Sequence, residues 1–367
     1  MAEETKKTGA LRRIVRAVGI VLLAVVMLAA GLIGFLSVTE FRPADVETLA
    51  VGAAASRTLC VDEPFAVLTW NIGYGALGDN ADFFMDGGSM VRTADKARVT
   101  ENLENIGAQI DALRPDVVFL QETDVRSTRS CRVNEYAWMQ SHLQGYASSF
   151  AANFKVAFLP YPVPPIGRVE SGLATFSAFD VSSAERVQLP IPFSWPIRMA
   201  NLKRCLLCSR VPIAGSEHEL VLVNLHLEAY DDGEGKAAQT AMLAQLLAAE
   251  AEKGNYVIAG GDFNQYFSDM DADAFPTLPG NWEAGAIDVT QFEGSWQFLM
   301  DDSVPTCRSL YKPYADADRN SFQYYMIDGF IVSNNVAVSL YATQDCGFTA
   351  SDHNPVLMRC TLAGEES

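Results

Sequence analysis

Six short motifs along the chain place an acid, an amide or an imidazole at or beside a strand-like apolar run. Their polar residues are Asn71, Glu122, His226, Asp262 with Asn264, Asp328, and Asp352 with His353. Any one of them is equally well explained by a turn-forming acid or a hydrogen-bonded histidine. Carboxylates gathered without cations repel one another and lose hydration energy, so a cluster of them beside strand ends usually binds a divalent cation. The combination therefore indicates metal-assisted chemistry.

The patterns between the first motifs predict strand, helix and strand in succession. FAVLTWN is an apolar run that ends at Asn71, and residues 93–113 carry apolar side chains at helical spacing up to the stop at Arg114-Pro115. DVVFLQETD follows as a short strand. This alternation is typical of a layered α/β domain.

The second half of the chain repeats the alternation. ELVLVNLHLEAY alternates strictly, which puts Asn224, His226 and Glu228 on one face of a strand. An Ala/Leu-rich helix over 236–253 ends at Gly254 and leads into the strand YVIAGGDFNQ. YYMIDGFIVS and SDHNPVLMRCTL each contain a further strand. The polar residues of the motifs therefore lie where strands end.

In this order the motifs W-N, Q-E-T, N-L-H-L, G-D-F-N, I-D-G and S-D-H-N-P resemble those of the endonuclease/exonuclease/phosphatase superfamily. The resemblance covers about residues 64–362. It implies the deoxyribonuclease-like α/β fold, a four-layer sandwich of two packed mixed β-sheets flanked by helices. It also implies a Mg²⁺-dependent phosphoric ester hydrolase. Because the superfamily includes nucleases, inositol-polyphosphate phosphatases and sphingomyelinases, the reaction is implied more firmly than the substrate.

The resemblance also implies roles for individual residues. Glu122 is the expected principal metal ligand, with Asn71 and Asp352 near the same ion or a second one. Such oxygen ligands suit Mg²⁺, Mn²⁺ or Ca²⁺. His353 is the expected general base that deprotonates water, and Asp328 is expected to accept a hydrogen bond from its other ring nitrogen.

Three further residues are implied to act on the phosphate. Asp262 and Asn264 are expected to hold the nucleophile and a phosphate oxygen, and His226 is expected to stabilise charge in the transition state. Some members of the family pair this histidine with a carboxylate. Glu228 lies on the same predicted strand face, but it could equally be the first residue of the next loop.

An uncharged apolar segment near the N-terminus predicts a membrane anchor. Residues 17–38 are long enough to cross a hydrocarbon core of about 30 Å as a helix. The preceding cations predict a cytoplasmic tail over 1–16, a linker over 39–62 and an extracytoplasmic catalytic domain over 63–362 on the cell membrane. A cleaved signal peptide is the alternative, although the apolar segment is longer than a typical signal core.

The charge balance bears on the partners. The chain has a formal charge of −18, of which residues 1–38 contribute +3, so the remainder carries −21. Non-specific binding of long nucleic acid depends on Lys/Arg contacts to phosphates, so this balance disfavours nucleic acid as a partner. A local basic pocket or a bound metal could make the electrostatic potential at the binding site positive. The sequence predicts a phosphoester substrate and contact with the membrane, and it indicates no protein partner.

Seven cysteines show no paired zinc-binding spacing. Cys205 and Cys208 form a lone C-x-x-C within a strand-like run, where they are expected to face opposite ways and to pack in the core. The odd count leaves at least one thiol outside any intramolecular disulfide.

The segment NFKVAFLPYPVPPIGRVESGLAT allows two interpretations. Its SGLAT resembles the strand that precedes the phosphate site in the family, whereas the aromatic and proline-rich lead-in could be a substrate wall or a rigid surface loop.

Three other functions compete with a hydrolase of lipid or small-molecule phosphoesters. One is a membrane-tethered nuclease, which would need a basic groove. Another is a lipid phosphodiesterase of the sphingomyelinase type, for which tethering beside a bilayer makes sense. The third is an inactive binding module, which the chemically competent residues at all six motifs disfavour.

Overall fold

The structure is a computed structural model that describes residues 2–55, 57–231 and 233–364. Its α-helices are α1 (Ala2–Val38), α2 (Lys96–Leu113), α3 (Glu135–His142) and α4 (Glu234–Ala251). Its first eight strands are β1 (Val46–Leu49), β2 (Phe65–Asn71), β3 (Val117–Asp124), β4 (Ala147–Leu159), β5 (Gly167–Ser177), β6 (Ser183–Gln188), β7 (Cys205–Pro212) and β8 (Glu219–His226). The others are β9 (Tyr256–Asp262), β10 (Gln265–Phe267), β11 (Gly285–Ile287), β12 (Trp296–Leu299), β13 (Cys307–Arg308), β14 (Tyr324–Tyr325), β15 (Asp328–Ser333), β16 (Val336–Thr343) and β17 (Val356–Leu362).

Two large mixed sheets carry the fold. One has six strands in the order β16-β17-β2-β3-β5-β4, and the other has seven in the order β1-β6-β7-β8-β9-β15-β12. Within each sheet a single pair of neighbours is parallel, β2 with β3 and β8 with β9, and the helices α2 and α4 make the two crossovers. This confirms the predicted α/β fold with two packed mixed sheets.

Alternation along the strands divides the apolar side chains into three layers. Between the sheets, Val67 and Phe119 of one sheet pack with Leu222 of the other. The outer face of the six-stranded sheet packs on α2 and α3, and the outer face of the seven-stranded sheet packs on α4. Each sheet is thus buried on both faces, which gives the four-layer sandwich that was predicted.

Local sequence explains where α2 begins and ends. The Asp95 side chain accepts a hydrogen bond from the backbone N–H of Arg98 at 2.9 Å, so the helix starts at Lys96, three residues after the start of the predicted helical pattern. Arg114 adopts a left-handed conformation with φ 49° and ends the helix before Pro115.

A polar contact crosses the apolar space between the sheets. Gln121 Nε2 donates to Asn224 Oδ1 at 2.8 Å, and Asn224 Nδ2 donates to the backbone carbonyl of Ala174 at 2.9 Å. Gln121 and Asn224 are both fully buried. These bonds satisfy amide groups that would otherwise be costly to bury, and they join β3 and β5 to β8 directly behind the strand ends.

Part of the segment predicted as a linker is folded onto the domain. Residues 46–49 form β1, which pairs with β6 at the edge of the seven-stranded sheet, and Leu59 lies in the core between the sheets. The folded unit therefore begins before residue 63. Residues 39–62 contain no long apolar run like those of the core strands, so the sequence pattern did not predict this strand.

The helix α1 extends from the domain. Leu11–Val38 is long enough and apolar enough to span a membrane, with a mean hydropathy of 2.8. By length and composition this agrees with the predicted span at 17–38.

The seven cysteines are all free thiols. Cys205 packs with Leu173 and Leu207 between the sheets, whereas Cys208 packs toward the α4 side. The two therefore face opposite ways, as predicted.

Candidate active site

Strand register brings the sequence motifs to one edge of the sandwich. In the seven-stranded sheet, Asp262 at the end of β9 is paired with His226 at the end of β8 and with Asp328 at the start of β15. In the six-stranded sheet, Asn71 at the end of β2 is paired with Gln121, next to Glu122. The carboxyl ends of the two parallel pairs thus meet across the sandwich.

Asn71 links the two sheets at the centre of this site. Its Nδ2 lies 3.1 Å from Glu122 Oε1 and 3.0 Å from Asp262 Oδ2. Its Oδ1 accepts from the backbone N–H of Gly73 at 3.1 Å. One buried amide therefore contacts two carboxylates that belong to opposite sheets.

His353 and Asp328 form a buried pair across the sheets. The ring Nδ1 of His353 lies 2.8 Å from Asp328 Oδ2, and Asp328 is fully buried. The other ring nitrogen, Nε2, lies 3.5 Å from Asn71 Nδ2 and 3.8 Å from Asp262 Oδ2. The imidazole thus has one nitrogen held by a carboxylate and the other directed at the centre of the site.

Backbone contacts hold the loop that carries His353. The Trp70 ring N–H donates to the backbone carbonyl of His353 at 2.8 Å, and the Ser351 hydroxyl donates to the carbonyl of Asn71 at 2.8 Å. Since neither bond involves the imidazole of His353, both hold the loop in place without depending on that ring.

Asp262 and Asn264 occupy the turn after β9. Asp262 Oδ1 accepts from the backbone N–H of Asn264 at 2.8 Å, and Asn264 Nδ2 donates to the carbonyl of Leu227 at 2.9 Å. Asp262 Oδ2 lies 3.4 Å from the Nε2 of His226. Asp262 therefore stands between the two histidines.

Three residues of the site have left-handed backbone conformations. Glu122 and Asn264 each have φ 53°, which is uncommon for residues other than glycine and is often found at functional sites. Gly73 has φ 50°, and a Cβ there would stand 2.8 Å from Asp352 Oδ1. Gly73 therefore lets the chain pass close to the Asp352 carboxylate.

The electrostatics of the carboxylates fit a bound cation. Burial raises the pKa of Asp262 to about 7, with the neighbouring Asp328 adding to the shift. Burial likewise raises the pKa of Asp352 to about 6, and Glu122 contributes. A divalent cation would compensate these charges, and carboxylate and amide oxygens are the ligands that Mg²⁺ prefers. Within the described part of the chain, donor atoms of Asp262, Asp328 and His353 all lie within 4.8 Å of one another.

The two histidines have opposite pKa shifts. Burial alone would lower the pKa of His353, but the Asp328 carboxylate raises it above its usual range. Burial lowers the pKa of His226, and the guanidinium of Arg204 lowers it further. A neutral His226 can donate one hydrogen bond to an oxygen anion, whereas the Asp328 carboxylate makes the His353 imidazole more basic, which suits a group that takes up a proton.

Glu228 lies just beyond the end of β8 and pairs with Arg204. Its Oε2 lies 3.5 Å from Arg204 Nε, and its Oε1 accepts from the backbone N–H of Ala229 and Tyr230. No carboxylate contacts His226 Nδ1 among the described residues. Glu228 is therefore linked to His226 only indirectly, by its contact with Arg204, whose guanidinium donates to the backbone carbonyl of His226 at 3.2 Å.

A buried cation, Arg129, lies beside the site and was not predicted. The Arg129 guanidinium lies 3.6 Å from the centre of the Tyr74 ring and forms an ion pair with Asp124 at 3.0 Å. The positive charge of Arg129 also interacts with the Glu122 carboxylate. Cys307 was also unpredicted, and its sulfur lies within 4.8 Å of donor atoms of Asp352 and His353.

All eight predicted site residues thus gather around one centre. The family model of the endonuclease/exonuclease/phosphatase family matches residues 68–353, which include every one of them. The chain belongs to this family, as the motifs predicted. Its members are hydrolases that act on phosphoester bonds, generally with a divalent metal.

Solved structures share the fold at low sequence identity. An endonuclease/exonuclease/phosphatase from Beutenbergia cavernae DSM 12333 is 20% identical with a TM-score of 0.56, covering 83% of this chain and 72% of its own. The human Nocturnin catalytic domain with bound sulfate is 18% identical with a TM-score of 0.52, covering 82% and 95%. ANGEL2, a 2′,3′-cyclic phosphatase, is 15% identical with a TM-score of 0.52, covering 86% and 98%. No curated protein matches by sequence.

Proposed function

We propose that the protein is a divalent-metal-dependent hydrolase of a lipid or small-molecule phosphoester, acting outside the cytoplasm from a membrane anchor. The observation that carries the proposal is the meeting of the two sheets at Asn71. There a candidate metal ligand, Glu122, and a candidate phosphate-site residue, Asp262, contact the same amide. The pair of His353 and Asp328 stands beside it.

His353 is proposed as the general base. Asp328 accepts a hydrogen bond from Nδ1–H, which leaves Nε2 as the nitrogen that can take a proton from water. The proximity of Nε2 to Asp262 and Asn71 supports this role, because their polar groups could hold an attacking water. Asp328 also stabilises the imidazolium that forms after transfer.

Asp262, Asn264 and His226 are proposed to act on the nucleophile and the phosphate. Asn264 is fixed by its bond to the Leu227 carbonyl, and Asp262 by its bond from the Asn264 N–H, so these groups are preorganised. Neutral His226 can donate from Nε2 to a phosphoryl oxygen as negative charge develops.

Glu122, Asn71 and Asp352 are proposed to hold the metal. The ion would polarise the phosphoryl group and offset charge in the transition state. The residues fit this role because Asp352 is buried and its charged form is disfavoured without a cation. Gly73 keeps the approach to Asp352 free of a side chain.

The membrane setting rests on α1 and on charge. Cations precede the span and the remaining residues carry −21, which favours a cytoplasmic tail and an exported domain. Tethering restricts the site to lipid head groups and small phosphoesters nearby. The acidic balance opposes long nucleic acid, since each phosphate contact needs a cation.

The topology can be tested on intact cells or spheroplasts. Protease added from outside should degrade the domain beyond α1, because the positive-inside rule places it there. A soluble cytoplasmic protein of the same cells, followed in parallel, controls for leakage. Full protection of the domain, together with a cytoplasmic signal from a C-terminal reporter, would contradict the proposal.

The substrate class can be tested by competition. The full chain in detergent micelles should turn over phospholipids, inositol phosphates or sugar phosphates faster than DNA at equal metal concentration and about 0.15 M salt. The matched control is the same preparation with His353→Asn, which excludes a contaminating hydrolase. If duplex or single-stranded DNA is cut far faster than every other ester, the protein is a tethered nuclease and the charge argument was misleading.

A further inference from the structure

An exposed apolar surface surrounds the point where α1 joins the domain. It consists of the tip of the β4–β5 hairpin and the loop that follows β6. Its most exposed members are Phe158, Tyr161, Val163, Ile191, Trp195 and Ile197. Val163 is 93% exposed, Tyr161 69% and Trp195 55%. Monomeric soluble proteins rarely present such a group of large apolar side chains together unless it binds something. We refer to these six residues as the docking surface.

The docking surface is continuous with the end of α1. Leu32 and Leu36 of the helix pack with Val156 of β4 and with Met199 in the loop. Ser37 at the end of the helix contacts Met199 Sδ at 3.0 Å, and the Trp195 ring N–H lies 3.4 Å from the same hydroxyl. The last turns of the span are therefore packed against the domain, so the docking surface has a defined position relative to the span.

The two segments that form the docking surface lack acids of their own, and two acids just outside them pair with their cations. Residues 153–169 and 189–203 contain no Asp or Glu, although the chain as a whole carries −18. They contain four cations, which are Lys155, Arg168, Arg198 and Lys203. Lys155 and Arg168 pair with Glu170, and Arg198 and Lys203 pair with Glu40, so the surface is close to neutral. Trp and Tyr concentrate at the boundary between acyl chains and head groups, where a neutral apolar surface is favoured.

We propose that the docking surface inserts into the head-group region of the bilayer that α1 crosses, so that the domain lies on the membrane and does not hang from a flexible tether. The occupant is the lipid bilayer because the surface adjoins the span itself. This inference rests on the proposed function in one respect, that α1 spans the membrane.

A series of contacts leads from the docking surface toward the candidate active site. The Tyr161 ring packs on Phe84 with centroids 5.8 Å apart, and the backbone N–H of the adjacent Phe83 donates to the carbonyl of Leu310 at 2.7 Å. Leu310 is close in sequence to Cys307, which is paired with His353. The hairpin tip is therefore joined to the loop of His353 through two intervening segments, 83–84 and 307–310.

Quenching of tryptophan fluorescence tests the contact. The full chain would be reconstituted in phosphatidylcholine and phosphatidylglycerol vesicles containing lipids brominated either near the head group or in mid-chain. We expect head-group-proximal bromines to quench the Trp195 component on the order of twofold, as for a side chain about 5–10 Å into the boundary. Trp195→Phe should remove this quenching. Trp296→Phe is the matched control, because Trp296 lies on β12, at the opposite edge of the sheet from β1.

A second variant perturbs the surface without removing the reporter. Val163→Asp combined with Ile197→Asp should abolish most of the Trp195 quenching, while turnover of a soluble phosphoester by the candidate site stays within about twofold, since exposed positions contribute little to stability.

The outcomes separate the two proposals. If the chain stays with the vesicles after alkaline carbonate washing but Trp195→Phe removes no quenching, α1 is an anchor and the docking surface is not in the bilayer. If the chain leaves the vesicles, the anchor is wrong and the docking proposal fails with it. A dimer crosslinked through the introduced thiol of a Val163→Cys variant, without quenching of Trp195, would identify a second copy as the partner and overturn the proposal.

Discussion

Replacing His353 with alanine should reduce kcat by roughly 10²–10⁴-fold, the loss typical of a general base. The imidazole is the side chain whose one nitrogen is held by Asp328 at 2.8 Å while the other points at the centre of the site. The backbone of residue 353 keeps its bond from Trp70, so the loop should stay in place. The loss is measured by steady-state kinetics on the substrate that is identified in the competition experiment.

Controls separate chemistry from folding. His353→Asn keeps a donor for the buried Asp328 but no group that exchanges protons near neutrality, so it should be about as inactive as the alanine variant and more stable. His142→Ala removes a partly exposed histidine on α3 and should leave kcat unchanged. Thermal melting of each variant checks the fold. Undiminished turnover by folded His353→Ala would show that the base is another group.

Chelation should abolish activity, and Glu122→Gln should raise the metal concentration needed for half-maximal activity by a factor of 10 or more, on the order of the loss seen when metal-site partners are removed. The expected cause is the loss of one negative charge from a donor set whose other carboxylate, Asp352, is buried. Titration with Mg²⁺, Mn²⁺ and Ca²⁺ measures the requirement. Isothermal calorimetry of the unloaded protein gives a second readout that does not depend on turnover.

Glu101→Gln provides the matched control for Glu122→Gln. It makes the same chemical change on α2, away from the candidate metal site, where the Glu101 carboxylate is 61% exposed and pairs with Arg98. Its metal requirement should equal that of the unmodified protein. Activity that survives thorough chelation, or a Glu122→Gln variant with an unchanged metal titration, would remove Glu122 from the metal site.

The elements that position the site were predictable because their patterns are local. Strict alternation around Asn224 and His226 identified both faces of β8, and the helical spacing before Arg114 identified α2. Polar residues at the ends of apolar runs identified the strand ends that meet at the site. Their assembly around one centre, however, depended on resemblance to a family, because strand order and register are long-range properties that no single segment encodes.

Other features had no such signal. Residues 46–49 resemble a linker in composition and become a strand only because β6 offers an unpaired edge. Arg129 reaches the site by stacking on Tyr74, and Glu228 reaches it by pairing with Arg204, contacts between residues that are distant in sequence. The proline-rich hairpin tip allowed either a substrate wall or a surface loop, and its contact with Phe84 and the end of α1 became visible only in three dimensions.

The buried amide pair of Gln121 and Asn224 has a consequence for how the protein becomes active. Each sheet carries only half of the catalytic groups: the six-stranded sheet presents His353 and the seven-stranded sheet presents its partner Asp328. An apolar surface tolerates sliding, whereas this amide pair, bonded at 2.8 Å, is satisfied in one alignment only. A slip by one strand residue, about 3.3 Å, would separate the imidazole from its carboxylate. We therefore expect catalytic activity to appear at the end of folding, when the two sheets reach this alignment and His353 meets Asp328.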